Sequence, residues 1–202
     1  MNIPFSTDCA TVLDREFRGE TSVYITAFAH DLGLMRMMKK CSAKKTSSLP
    51  DLFDDIAIAG EMQSPTSLKF ARDFDIIKRR NDIATNYDSF EQACKISLSV
   101  VKNGAHIEDS ARLSTQLRSA LDAIANGASA EIVRLKFMYL LAKNEGYPVK
   151  EDFYARLSQP QKELFSLLIK LPALELKDYA TRTSPILESY LNWLYSNTDI
   201  IE

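Results

Sequence analysis

Five basic side chains stand close together in a stretch of the sequence that contains no acidic residue. They lie within GLMRMMKKCSAKKTSSL, residues 33–49, and no Asp or Glu occurs between Asp31 and Asp51. The five are Arg36, Lys39, Lys40, Lys44 and Lys45. Cations spaced by small and hydroxyl residues suit contact with successive phosphates of a nucleic-acid backbone. The same pattern is also typical of a solvated surface strand, and the charge run alone leaves both interpretations open.

A second basic group lies further along the chain, where Asp73 and Asp75 dilute its charge. Its members are Lys69, Arg72, Lys78, Arg79 and Arg80. This group could extend a phosphate-binding surface, or it could belong to a solvated linker between domains. Aromatic rings on which unpaired bases could stack occur in the same half of the chain, although most of them suit a hydrophobic core better. They are Tyr24, Phe28, Phe53, Phe70 and Phe74.

The overall composition is that of a soluble globular protein with a nearly balanced charge. The 202 residues carry a net charge of -2, with 46% hydrophobic and 26% charged residues. Any nucleic-acid role must therefore depend on local clustering of charge. No run approaches the roughly 20 apolar residues that span a bilayer, and the first ten residues lack the features of a signal peptide. The three separated cysteines indicate reduced thiols in a cytosolic protein.

Hydrophobic periodicity divides the chain near residues 80–87. Alternating β-branched and aromatic runs, separated by turn residues such as Arg18 and Gly19, predict five short strands in the first part. The predicted strands are 10–17, 21–28, 33–40, 51–60 and 67–78. Five strands within about 75 residues favour a small closed or partly open barrel. We therefore expect an α+β protein with a barrel domain over residues 1–80 and a helical domain over residues 81–202.

The helical part shows recognisable start signals. Asp88 followed by Glu91 resembles a capping box at the first helix. Pro160 predicts the start of a later helix, and Ser184 with Pro185 predicts the start of the last one. A dense apolar run around Phe137 predicts a central, largely buried helix.

Sequence patterns that accompany catalysis or metal binding are lacking. The six glycines are scattered, no CxxC pair occurs, and neither His30 nor His106 belongs to a metal-binding motif. The carboxylate pairs Glu108–Asp109 and Glu151–Asp152 suit the first turn of a helix, where they complement its dipole. The sequence therefore favours a protein that is not an enzyme and that uses no cofactor or metal.

Two segments, about 100 residues apart, resemble the RecO family of bacterial recombination mediators. In the first half, the matching features are Val12-Leu13, Glu20, Ile25 to Phe28, Gly33, Lys40, Lys44-Lys45, Ser47 or Ser48, and Leu49 to Phe53. In the second half, they are Phe137, Leu140-Leu141, Gly146, Tyr147 and Pro148. Cys41 stands where the family usually has Gly, and the zinc-binding cysteines that many members carry after Pro148 are lacking.

The resemblance implies a non-enzymatic DNA repair protein with an N-terminal OB-fold. It implies binding to single- and double-stranded DNA, annealing of complementary strands, and RecA loading together with RecR. It also implies contact with the C-terminal tail of the single-strand DNA-binding protein, and a bacterial, cytoplasmic, nucleoid-associated location.

Candidate contact residues follow from charge. For DNA they are Arg36, Lys39, Lys40, Lys44 and Lys45, with Arg79 and Arg80 as weaker candidates. An acidic, apolar tail needs a hydrophobic groove flanked by a cation, for which the candidates are Arg134, Lys136 and Lys143. The alternative is a protein-interaction adaptor whose barrel does not bind DNA, and a small enzyme with a carboxylate site is a further rival. DNA binding predicts that the basic groups converge on one face, an adaptor predicts an exposed apolar patch, and an enzyme predicts a deep pocket.

Overall fold

The computed structural model describes residues 2–40, 49–64 and 67–201 and has an α+β fold, with a five-stranded sheet followed by helices. The strands are β1 (Ile3–Arg18), β2 (Ser22–Ala29), β3 (Gly33–Lys40), β4 (Asp55–Met62) and β5 (Lys69–Lys78). The helices are α1 (Tyr87–Asn103), α2 (Ser110–Ala125), α3 (Ala130–Asn144), α4 (Gln159–Lys170) and α5 (Ala180–Asn197). Shorter helical turns span Asn81–Thr85, Lys150–Tyr154 and Ala173–Tyr179.

The five strands close in a ring in the order β1-β2-β3-β5-β4. Closure depends on the length of β1, whose first half pairs with β4 and whose second half pairs with β2. Irregular register between Thr7 and Ala10, and again between Val12 and Asp14, bends this strand between its two partners. All neighbouring pairs are antiparallel except β3 and β5, which meet in parallel.

Alternation along the strands sends apolar side chains into the ring. Its buried core includes Val12, Val23, Ile25, Met35, Met37, Ile56, Ile58 and Phe74. The bounds of β3 agree with the predicted strand. The strand begins at Gly33 because this glycine takes the positive φ of 64° that ends the preceding turn. The predicted β1 begins seven residues too late, because IPFSTDC lacks an apolar alternation and is extended through its pairing with β4.

Residues 51–54 form a turn rather than the predicted start of β4. The Asp54 carboxylate accepts a hydrogen bond from the Asp51 amide at 2.9 Å, and Phe53 adopts a positive φ of 69°. The backbone therefore becomes extended only at Asp55.

A buried carboxylate connects several elements around this turn. Asp55 accepts two hydrogen bonds from the Arg80 guanidinium, at 2.9 and 2.8 Å, and one from the Thr11 hydroxyl at 2.7 Å. The Nε of Arg118, on α2, donates to the same carboxylate at 3.1 Å. Arg80 also donates to the Phe53 carbonyl at 2.6 Å, which fixes the unusual backbone there.

The chain divides into two compact units, residues 1–80 with 100–118 and residues 81–99 with 119–202. This division differs from the predicted boundary at residue 80 in that residues 100–118 join the first unit. An aromatic cluster fills the core of the second unit, where the rings of Phe153, Phe165, Tyr190 and Trp193 lie 5.0 to 5.9 Å apart in neighbouring pairs. Over the described residues, no helix combines the length and the apolar character needed to cross a membrane.

Two predicted helix starts are corrected. Asn86, rather than Asp88, caps α1, since its side-chain oxygen accepts the Ser89 amide at 2.9 Å. The last helix begins at Ala180, so Pro185 lies inside it instead of opening it. Pro160 does fall in the first turn of α4, behind a capping box formed by Ser158 and Gln161.

We expect Asp55→Asn to lower the free energy of unfolding by about 3–5 kcal/mol, because it leaves the Arg80 charge buried without its counter-ion. Urea denaturation monitored by circular dichroism measures the change. The control is Glu91→Gln, which removes an exposed ion pair with Lys95 and should cost less than about 0.5 kcal/mol. Equal effects of the two substitutions would contradict the structural role assigned to Asp55.

Candidate nucleic-acid interface

The outer face of the sheet gathers basic side chains from β1 and β3. Arg36 and Lys40 alternate with the buried Met35 and Met37, and both are exposed. The register places Lys40 opposite Ser22, which in turn lies opposite Arg18. Since paired residues of neighbouring strands share a face, Arg18, Arg36 and Lys40 belong to one surface.

Tyr24 lies between these cations. The guanidinium carbon of Arg18 is 4.7 Å from the centroid of its ring, and that of Arg36 is 5.6 Å away. Cation–π contacts of this kind hold both guanidinium groups against the sheet.

Carboxylates restrain the positive charge of this face. Glu16 accepts hydrogen bonds from Arg18 at 3.0 and 3.1 Å and from Arg36 at 3.4 Å. The hydrogen bond from Arg18 lowers the pKa of Glu16, with both guanidinium charges acting in the same direction. On β4, Glu61 accepts a hydrogen bond from Arg72 of β5. The surface therefore carries guanidinium groups that are oriented by carboxylates rather than an unbroken basic patch.

The pairing of β3 with β5 brings part of the second basic group to the first. Met37 lies opposite Lys69 and Met38 opposite Phe70 in a parallel pairing. Arg72, two residues beyond Phe70, therefore lies near the end of β3 that carries Lys40. This end of β5 therefore brings Lys69 and Arg72 of the second basic group close to the basic residues of β3. Lys39 has the inward register instead, with its ammonium 4.9 Å from the Phe74 ring centroid and 2.7 Å from Asp73 Oδ1.

Arg79 and Arg80 lie elsewhere, at the other end of β5. Eight residues of extended strand, about 26 Å, separate Phe70 from Lys78, which pairs with Asp55. Arg80 is buried against Asp55, so its guanidinium is not exposed to an external phosphate. Arg79 is partly exposed and lies 3.2 Å from the buried Asp54 carboxylate. Lys44 and Lys45 fall outside the described residues.

Sequence reasoning missed Arg18 and Met38 on this face, and it offered five candidate stacking rings without separating the exposed ones from the core. Tyr24 is half-buried on the outer face and Phe70 is 41% exposed, whereas Phe28, Phe53 and Phe74 are buried as expected for core residues. The period-two alternation of β2 and β3 was the signal that could have found the outward positions, once the strands were aligned in register.

In the second unit, the three candidate cations for a partner tail have different surroundings. Arg134 is buried, with Nη1 donating to Gln92 Oε1 at 3.3 Å. Lys136 donates to the carbonyls of Ile169 and Leu171, at 3.0 and 2.6 Å, around the end of α4, and burial lowers the pKa of its ammonium. Lys143 is exposed in the last turn of α3.

A mainly apolar cavity of about 530 Å³ in the second unit is lined in part by Ile169, whose carbonyl accepts the hydrogen bond from Lys136. Aromatic side chains line it, and Lys150 and Lys170 lie at its border as exposed residues. The lining residues are Tyr139, Val149, Lys150, Tyr154, Phe165, Ser166, Ile169 and Lys170. The cavity thus combines apolar walls with two cations.

The second unit also contains a polar cleft of about 930 Å³, lined by first-turn residues of α1, α3 and α5. Its acids, Asp82, Asp88, Glu91 and Glu131, face one lining cation, Lys177. Within residues 2–40, 49–64 and 67–201, no group of three or more His, Cys, Asp or Glu side chains is arranged to hold a metal ion.

No protein-family model matches the chain, and no curated protein is significantly similar to it. The resemblance to recombination mediators therefore stays a prediction.

We expect Asp54→Asn to stabilise the protein at neutral pH. Burial raises the pKa of Asp54 above its usual 3.8, so the folded state binds this proton more readily than the unfolded state, and stability is lost as pH rises through the folded pKa. Asparagine does not ionise, so the variant does not lose this stability as the pH rises. Thermal unfolding from pH 3 to pH 7 should show an advantage over the wild type that grows with pH and vanishes at the acid end.

The control for this comparison is Asp109→Asn, whose carboxylate is exposed and paired with Arg112. It should show no such pH-dependent gain. A variant Asp54→Asn that is less stable than the wild type at pH 7 would contradict the interpretation that burial outweighs the contact with Arg79.

Proposed function

We propose that the protein is a DNA-binding recombination mediator of the RecO type, with an OB-fold formed by the five-stranded ring. The observation that carries the proposal is the outer face of β1, β2 and β3, where Arg18, Arg36 and Lys40 surround Tyr24. Five-stranded barrels of the OB type bind oligonucleotides on the corresponding strand face. Guanidinium and ammonium groups neutralise phosphates regardless of sequence, which suits a protein that must act on any DNA.

The charge arrangement supports moderate, salt-sensitive affinity. The guanidinium of Arg36 is 3.4 Å from the Glu16 carboxylate. A competing phosphate can displace this carboxylate without leaving a buried charge. Both partners are about half exposed, at 54% and 47%, so the ion pair itself contributes little to stability. Phosphate can therefore exchange with the carboxylate at a small cost.

The cavity in the second unit supports the other half of the proposal, contact with the C-terminal tail of the single-strand DNA-binding protein. That tail offers an acidic, apolar ligand, and the cavity offers aromatic walls with Lys150 and Lys170 at its border. Lys136 and Arg134 are already engaged within the fold and are not part of the proposed tail site. The proposed role in RecA loading with RecR rests on this pair of activities.

The alternative, a protein-interaction adaptor, is favoured by one feature. Phe17, Phe70 and Ile77 are large apolar side chains of the sheet that are 54%, 41% and 52% exposed. An adaptor of this kind would bind a protein through its ring and would show no affinity for DNA.

The first test is binding of single-stranded DNA across a salt series. We expect the double variant Arg36→Ala, Lys40→Ala to bind more weakly, and the slope of log affinity against log salt to become shallower by about 1.4, since each lost phosphate contact removes about 0.7. Fluorescence anisotropy with a labelled oligonucleotide measures both quantities.

The matched control is Arg112→Ala. Arg112 has the same 54% exposure as Arg36 and is likewise paired with a carboxylate, Asp109, but it lies on α2 instead of the sheet. It should leave affinity and slope unchanged. If the double variant retains both the affinity and the slope of the wild type, DNA binding by this face is excluded, and a wild type that binds no DNA favours the adaptor.

The second test concerns the tail. We expect the double variant Lys150→Glu, Lys170→Glu to weaken binding of a peptide with the partner's C-terminal sequence by at least about tenfold, because each substitution replaces attraction by repulsion. Isothermal titration calorimetry measures the affinity. Lys143→Glu is the comparison, since Lys143 is exposed on α3 but does not line the cavity. Weakening by Lys143→Glu alone would place the tail outside the cavity.

A further inference from the structure

One row of side chains crosses the outer face of the sheet from strand to strand. The register pairs Glu16 with Tyr24, Tyr24 with Met38, Met38 with Phe70, and Phe70 with Glu61. The row therefore runs through all five strands, in the order in which they neighbour one another, and is called here the cross-strand row.

The centre and the ends of the cross-strand row differ in chemistry. Its centre consists of Tyr24, Met38 and Phe70, which are an aromatic ring, a thioether and a second aromatic ring. Two strand spacings, about 10 Å, separate the two rings. Its ends are carboxylates, with Glu16 bound to Arg18 and Arg36 and Glu61 bound to Arg72 and Asn2.

We infer that the cross-strand row selects unpaired nucleic-acid strands over duplex by stacking bases on Phe70, Met38 and Tyr24. The inference rests on the proposed function and names the form of DNA that this face prefers. Base faces are free in a single strand, and stacking on an aromatic side chain tolerates any sequence. In a duplex the base faces are already covered by neighbouring base pairs, so stacking on the apolar centre of the row adds no affinity for a duplex.

The flanking charges fit the same ligand. Arg18 and Lys40 lie on one side of the row and Arg36 on the other, so a single backbone can reach a cation while its bases cover the centre.

Exposure identifies Phe70 as the residue to test. Its ring is 41% exposed, whereas Tyr24 is half-buried and contacted by two guanidinium groups. Phe17 provides a matched control, because it is an exposed phenylalanine of the same sheet, 54% exposed, that pairs with Val23 and lies outside the cross-strand row.

The experiment compares the full chain and its variants on a single-stranded oligonucleotide and a blunt duplex of equal length, each over a salt series. We expect the wild type to prefer the single strand, and Phe70→Ala to weaken single-strand binding about tenfold without changing the salt slope. Duplex binding should not change. Phe17→Ala should bind both forms as the wild type does, and Phe70→Tyr should keep the wild-type preference for the single strand.

A second readout reports stacking directly. An oligonucleotide carrying 2-aminopurine should lose fluorescence on binding the wild type, and this quenching should be reduced by Phe70→Ala and kept by Phe70→Tyr. Equal affinity of the wild type for both DNA forms, or equal losses from Phe70→Ala and Phe17→Ala, would overturn the inference while leaving DNA binding intact. A wild type that binds neither form would overturn the proposed function as well.

Discussion

The carboxylate of Asp55 holds the first unit together. It accepts hydrogen bonds from Thr11 on β1, from Arg80 just beyond β5, and from Arg118 on α2. Because Asp55 and Arg80 are both fully removed from solvent, neither side chain can find a replacement partner in water, and each fixes the position of the other. Arg80 also holds the Phe53 carbonyl, so the same contact sets the turn that begins β4.

This arrangement separates structural from exposed charge along a short stretch of chain. Arg80 is buried and paired with Asp55, and Arg79 contacts the buried Asp54. The exposed cations that an external ligand can reach lie at the opposite end of β5 and on β3. Within β3 itself the separation follows alternate residues, with Met35 and Met37 inside and Arg36 outside. A nearly neutral chain can thus present a charged surface, because register gathers its cations.

The local features of the sequence were sufficient for much of the fold but not for the surface. Gly33 and the alternation behind it gave the bounds of β3, whereas the first residues of β1 are extended only because β4 lies beside them. Arg79 and Arg80 look alike in the sequence, and only the ring shows that Asp55, 25 residues away, takes the second of them out of solvent. The sequence offered Phe70 as a stacking ring without separating it from the core aromatics, because its direction depends on a register that spans three strands.

The parallel contact between β3 and β5 has a consequence for folding kinetics. Hairpins β1–β2, β2–β3 and β4–β5 join neighbours in sequence, whereas β1 meets β4 and β3 meets β5 across long stretches of chain. Met38 and Phe70 lie 32 residues apart and belong to a contact with only two paired positions. Contacts of large sequence separation form late, because loop closure costs entropy before they give anything in return. The β1-β2-β3 part and the β4-β5 part of the outer face can then form separately, and the cross-strand row is completed only when β3 pairs with β5.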